Sequence, residues 1–90
     1  MSFMIEIRKI SLEEIDQKKV RSWPVWEKEV SRFPHTYEEE EWCFFLEGEV
    51  IIETETGNYK IFPGDFVIFR IGLNCVWDIR KPVRKHYNFL

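Results

Sequence analysis

The side chains best spaced to do chemistry surround Glu41. Tyr37, Glu39, Glu41 and Cys43 alternate with Glu38, Glu40, Trp42 and Phe44. In an extended strand, residues two apart share a face, so the first four point one way. Cys75 and Trp77 share a face on a later segment in the same manner. If Glu41 faces an apolar interior, burial raises its pKa and suits it to general acid or base work. Its other reading is a structural carboxylate paired with Arg70 or another base. Cys75 becomes a nucleophile only where a base lowers its pKa, and no histidine is obviously placed to do so. Otherwise a buried free thiol packs as a small apolar residue. The sequence thus predicts a pocket of Tyr37, Glu39, Glu41, Cys43, Cys75 and Trp77. Glu41 is its candidate catalytic group.

The elements that hold these residues are short apolar runs stopped by turns. Glu47-Gly48, Thr56-Gly57-Asn58, Pro63-Gly64-Asp65 and Gly72 punctuate the chain from Glu41 to Trp77. Turns this frequent between β-branched and aromatic runs predict an all-β, antiparallel sandwich or small barrel. Strands are expected at about 37–47, 49–55, 58–62, 66–70, 74–80 and 83–89, with hairpin turns at Glu47-Gly48 and Gly57-Asn58. Upstream, the alternation of Phe3, Ile5 and Ile7 predicts an edge strand. Ser11 with Glu14 fits a capping box, so a short helix is expected over 12–20. Trp23 and Trp26 read as a plug over one barrel end, or as pocket residues. Trp42, Phe44 and Leu46 face away from Glu41 and need a cover. The N-terminal segment or a second copy could supply it, and on this ground a homodimer is expected.

Ninety residues make one domain, 1–90, with 1–22 the strand and helix and 23–90 the barrel. The net charge of −3 and the acidic run Glu38 to Glu41 argue against a nucleic-acid partner. The basic cluster Arg80, Lys81, Arg84, Lys85 reads as a solvated edge strand. No apolar run approaches the roughly 20 residues of a membrane span, and no signal peptide is visible. A cytoplasmic protein without a membrane partner is expected, with Cys43 and Cys75 reduced.

Several of these residues carry a resemblance. Glu41 stands seven positions before Gly48, within Leu46-Glu47-Gly48-Glu49. Pro63-Gly64-Asp65 is followed by Val67 and Phe69, and Trp23, Trp26, Phe33, Tyr37 and Trp77 add an aromatic pattern. Together they resemble the cupins, in particular small cupins related to ureidoglycine aminohydrolase. The resemblance implies a cupin-type β-barrel, the double-stranded β-helix or jelly roll, with the short N-terminal helix appended. It also implies a divalent metal held by three histidines and the glutamate. Here Cys75 stands where the last histidine would be, and His35 is at best the one histidine kept of the first pair. A set of His35, Glu41 and Cys75 is chemically able to hold zinc or iron. Its ligand count argues against that, so the cofactor stays open.

Two functions follow. The resemblance implies a hydrolase or isomerase acting on a small polar metabolite. The aromatic, carboxylate-lined interior alone fits a non-catalytic binding or accessory module for a polar, cationic or hydroxylated ligand.

Overall fold

The structure is a computed structural model that describes residues 4–90. Two long strands organise it: β4 (Glu41–Thr54) and β7 (Asn74–Phe89), paired antiparallel from Glu41↔Phe89 to Glu53↔Val76. Along the other edge of β7, β2 (Val25–Lys28) pairs with residues 83–86 and β3 (Ser31–Thr36) with residues 74–79. Along the other edge of β4, β6 (Asp65–Phe69) pairs with one half and β5 (Gly57–Ile61) with the other. β1 (Ile5–Lys9) then pairs with β6. The hydrogen-bonded path runs β1-β6-β4-β7-β2, so its two ends are not paired with each other. Strong curling of this antiparallel sheet wraps one face around a core that includes Phe45, Val50, Ile52, Ile61, Val67, Phe69, Trp77 and Ile79. The antiparallel all-β class read from the turns is the class observed, and the curled, unclosed sheet fits the cupin-type fold that the resemblance implies. The expected edge strand is β1; Phe3 lies outside the described residues.

One expected turn is not a turn, and one expected break between strands is absent. The segments 37–47 and 49–55 form the single strand β4, which starts only at Glu41, and 74–80 and 83–89 form the single strand β7. Glu47-Gly48 is a bulged step within β4, marked by register shifts between Phe45 and Val50. The bulge has a physical consequence. Before it the buried residues are Glu41, Cys43 and Phe45; after it they are Val50 and Ile52. Across these shifts the inward position moves by an odd number of residues along β4, which switches the parity that faces the core. Gly48 is required there. It holds φ +104°, and a Cβ would meet Pro82 O at 2.6 Å and Val83 Cα at 2.7 Å.

The other turns behave as read, with one shift in position. The β4–β5 hairpin turns at Glu55-Thr56, since Thr54 already pairs with Gly57. At Pro63-Gly64-Asp65, the Asp65 carboxylate accepts from Phe62 N at 2.8 Å and pairs with Lys9 Nζ at 2.6 Å. Ser11 caps α1 (Leu12–Gln17), its hydroxyl accepting from Glu14 N at 3.1 Å. The helix is shorter than expected, and a 3₁₀ turn (Val20–Ser22) follows.

The N-terminal segment covers part of the outward face of β4 and β6, leaving Trp42, Phe44 and Leu46 half-buried. Val20 is fully buried, and Trp23 packs on Phe66 with ring centroids 6.4 Å apart. The Lys18 ammonium lies 5.2 Å from the Trp42 ring. Trp23 is therefore part of an outer cover, whereas Trp26 lines the interior. The N-terminal segment is thus one cover for Trp42, a partial one. No helix among the described residues is long and apolar enough to cross a membrane.

Candidate functional site

An open cavity of about 400 Å³ lies at one end of the curled sheet, and Trp26, Phe33, Tyr37, Glu41, Trp77 and Lys85 are among the residues lining it. Its floor is an ion pair. Lys85 Nζ donates to Glu41 Oε2 at 2.8 Å, and both residues are buried, with 4% and 6% of their surface exposed. The strand register explains the meeting. Lys85 lies opposite Phe45, Tyr87 opposite Cys43 and Phe89 opposite Glu41. The long Lys85 stem runs along the inner face past Cys43 and brings its ammonium to Glu41. On the way Lys85 Nζ donates to Cys43 Sγ at 3.1 Å, and the Cys43 thiol donates to Glu41 Oε2 at 3.2 Å.

An aromatic box surrounds the ammonium. Nζ lies 4.9 Å from the Trp77 ring centroid and 5.1 Å from that of Trp26, with Phe45 and Phe69 each at 5.9 Å. Cation–π attraction offsets part of the hydration that Lys85 loses. The rings brace one another. Phe33 stacks on Trp77, Trp26 meets Trp77 edge-on, and Tyr37 stacks on Phe69. The Trp77 indole donates to the Tyr37 hydroxyl at 3.2 Å, which fixes both rings.

Burial works against the charge on Lys85, but the pull of Cys43 and Glu41 outweighs it and holds the ammonium above its ordinary pKa. Burial also pushes the Cys43 thiol far up. At neutral pH Cys43 is therefore a thiol, accepting from Lys85 and donating to Glu41. Tyr37 is raised by burial, with Cys43 and Glu41 adding to it. Cys75 is raised by burial to about 11.

These shifts share one sign. The stabilisation from charged Lys85 is complete below the unfolded value and is lost as pH rises through the folded one. Tyr37, Cys43 and Cys75 keep protons in the fold that the unfolded chain begins to release near the ordinary thiol value of 9.0. Stability should therefore fall progressively above pH 9.0. Urea midpoints measured from neutral pH up to about 11 check this, and a flat profile would contradict it.

The residues read from the sequence are distributed as follows. Tyr37, Glu39, Glu41 and Trp77 line the cavity, Glu39 exposed at its mouth beside Glu38. Residues 37–40 lie outside the strands, so strand alternation does not govern them. Glu40 is not on a solvated face: it is half-buried and accepts from the Trp42 indole at 2.8 Å. Cys43 lies beneath the floor, fully buried. Cys75 faces His35 across β3 and β7, its thiol donating to the His35 carbonyl at 3.5 Å. His35 is exposed, with its ring edge-on to Tyr37. His86 is half-buried, its Nδ1 3.0 Å from the Trp23 carbonyl oxygen.

The residue that sequence reasoning missed is Lys85. The basic cluster of Arg80, Lys81, Arg84 and Lys85 reads as a solvated edge, but β7 is an interior strand, paired on both sides. Its parity was the available signal: Lys85 is an even number of residues from Cys75 and Trp77, the positions read as inward.

The donor set does not fit the metal that the resemblance implies. Among the described residues no three His, Cys, Asp or Glu side chains gather where a metal ion could be held, so His35, Glu41 and Cys75 do not form a centre. A cation is already present at the carboxylate, because the Lys85 ammonium occupies Glu41 Oε2.

Comparison with known proteins agrees with the fold. Among curated proteins none matches the chain. A DUF861-family protein from Thermotoga maritima is 46% identical and superposes with a TM-score of 0.92, over 96% of this chain and 99% of that one. A DUF861-family protein from Pseudomonas syringae pv. tomato is 26% identical, TM-score 0.67, over 73% of this chain and 29% of that one. A putative ethanolamine utilization protein Q from Salmonella typhimurium shares the fold at 19% identity, TM-score 0.67, over 94% of this chain and 68% of that one. The EutQ-like cupin domain model matches residues 15–87, and with that match the chain belongs to the EutQ-like cupin family.

Proposed function

We infer that this chain is a metal-independent cupin that binds a small polar metabolite in the cavity above Glu41 and Lys85. One observation carries the reading: a buried ion pair forms the floor of an open aromatic cavity. A buried pair loses hydration, and apolar residues of similar volume would often hold a fold as well or better. A barrel with only a structural task gains little from this arrangement. The rim adds Glu38 and Glu39, so the carboxylates outnumber Lys85 and favour a neutral, hydroxylated or cationic ligand over an anion. Two free, buried thiols support a reducing, cytoplasmic setting.

The test has two parts. Protein purified without an affinity tag should carry no stoichiometric zinc, iron, manganese or nickel by elemental analysis. Polar metabolites screened by NMR should include ligands that shift Tyr37, Trp77 and Lys85 signals saturably. A full metal complement lost in Glu41→Gln, or a broad screen that never moves those signals, would overturn the reading.

A second reading is enzymatic: hydrolysis or isomerisation of the ureidoglycine aminohydrolase type. It is favoured by a carboxylate and an ammonium side by side on one cavity floor. Glu41 would move the proton and Lys85 would steady the developing oxyanion. Turnover lost in Glu41→Gln with ligand binding retained would separate it from pure binding. A homodimer also remains a proposal. It would use the half-buried face of Trp42, Phe44 and Leu46 or another surface, such as the exposed Phe62 or Ile71. Light scattering at twice 11.0 kDa would support it, and a mass of 11.0 kDa would remove it.

A further inference from the structure

The hydrogen bonds on the cavity floor leave two valences open. An ammonium has three N–H groups. Lys85 spends two, on Glu41 Oε2 and Cys43 Sγ. No third oxygen, nitrogen or sulfur acceptor for it is present among the described residues; the aromatic rings around it are its other neighbours. Glu41 accepts both of its bonds, from Lys85 and from Cys43, through Oε2. Nothing among the described residues donates to its Oε1. Both side chains are more than nine-tenths buried, and both line the cavity. The floor thus offers one donor and one acceptor side by side, held by charged groups that cannot turn away without breaking their own pair.

Charge narrows what can fill them. The pair is neutral as a unit, so an anionic ligand would leave a net negative charge in a buried place already facing Glu38 and Glu39. A cation would sit against the Lys85 ammonium. A neutral group that carries a carbonyl oxygen next to an N–H satisfies both valences at once. The walls then decide the rest of the ligand. Trp26, Phe33, Trp77 and Tyr87 present ring faces and edges, which suit a flat or apolar body.

We propose that the unfilled N–H of Lys85 and the unfilled oxygen of Glu41 form a recognition site for a neutral amide group borne on a flat or apolar body. The carbonyl oxygen accepts from Lys85 and the amide N–H donates to Glu41. This rests on the ligand-binding reading above and names the chemistry that the same site selects.

The test uses the wild-type chain, ¹⁵N-labelled, and three probes of nearly one shape. Benzamide offers the carbonyl and the N–H. N,N-dimethylbenzamide keeps the carbonyl and lacks the N–H. Benzoate lacks the N–H and carries a negative charge. Benzamide should shift the Trp26 and Trp77 indole signals and the Lys85 amide signal saturably. The other two should bind about tenfold more weakly or worse, as expected when a hydrogen bond to a charged group is lost. A Glu41→Gln/Lys85→Met double variant should lose the preference. If either analogue binds as well as benzamide, or if the preference survives in the double variant, the inference is overturned while the pocket remains a binding site. If none of the three moves these signals, the inference also falls, and the metabolite screen decides separately whether the cavity binds anything.

Discussion

Replacing Lys85 by Met is expected to destabilise the chain by about 3–5 kcal/mol, the cost of leaving one half of a buried ion pair behind. For a domain of this size that lowers the thermal midpoint by roughly 12 °C or more. Methionine keeps much of the stem's bulk, so the loss is electrostatic rather than a cavity. The partner's fate provides the control. Glu41 in this variant is a buried carboxylate with no cation, and Cys43 is its remaining donor. Changing Glu41 to Gln in the same chain removes that charge and should recover most of the stability. Urea midpoints of the two variants and the wild type at neutral pH measure both effects. A Lys85→Met chain as stable as wild type at neutral pH would mean that the ammonium is not what balances Glu41.

Gly48→Ala is the second large effect, expected at about 3 kcal/mol or more. Two costs add. An alanine at φ +104° is strained by roughly 1–3 kcal/mol. Its Cβ would also stand 2.6 Å from Pro82 O and 2.7 Å from Val83 Cα, so strand β7 must shift, and it carries Lys85 two residues further on. Gly64→Ala separates the costs. Gly64 has φ +91°, and a Cβ there meets only the flexible Lys9 Nζ, at 3.7 Å. It should show the backbone strain without the collision. Thermal midpoints of the two variants give the comparison. Equal losses at the two sites would remove the close-approach argument and leave φ alone.

The turns were the legible part of the sequence. Pro63-Gly64-Asp65 turns because Pro presets one φ, Gly64 takes a positive one, and Asp65 caps Phe62 N. Local chemistry fixes such a step, and it can be read locally. Glu47-Gly48 carries the same residue types, yet it is a bulge within a continuous strand. What decides between turn and bulge is a close approach to Pro82 and Val83, more than thirty residues away, which no window around Gly48 contains. The same limit applies to the site. Alternation placed Glu41, Cys43, Cys75 and Trp77 on inward faces because each pair lies within one strand. Tyr37 and Glu39 also line the cavity, but they lie before β4 begins, so strand alternation is not what places them there. Lys85 was misread for a different reason. Its basic neighbours Arg80, Lys81 and Arg84 are exposed, and composition averages over a strand whose two faces differ. The ion pair needs the register of β4 on β7, a tertiary fact.

The pairing of β4 with β7 also governs when the site can exist. Glu41 pairs with Phe89, β1 with β6, and β3 with the first half of β7. Apart from the β4–β5 hairpin, most strand pairs close long stretches of chain, a topology that slows folding. As the polypeptide leaves the ribosome, β2, β3 and the site half of β4 wait for β7 to emerge. A chain stopped before Asn74 would lack the partner of three strands as well as Lys85 and Trp77. The cavity and the global fold therefore arrive together, and the cavity has no smaller fragment in which it could be assembled alone.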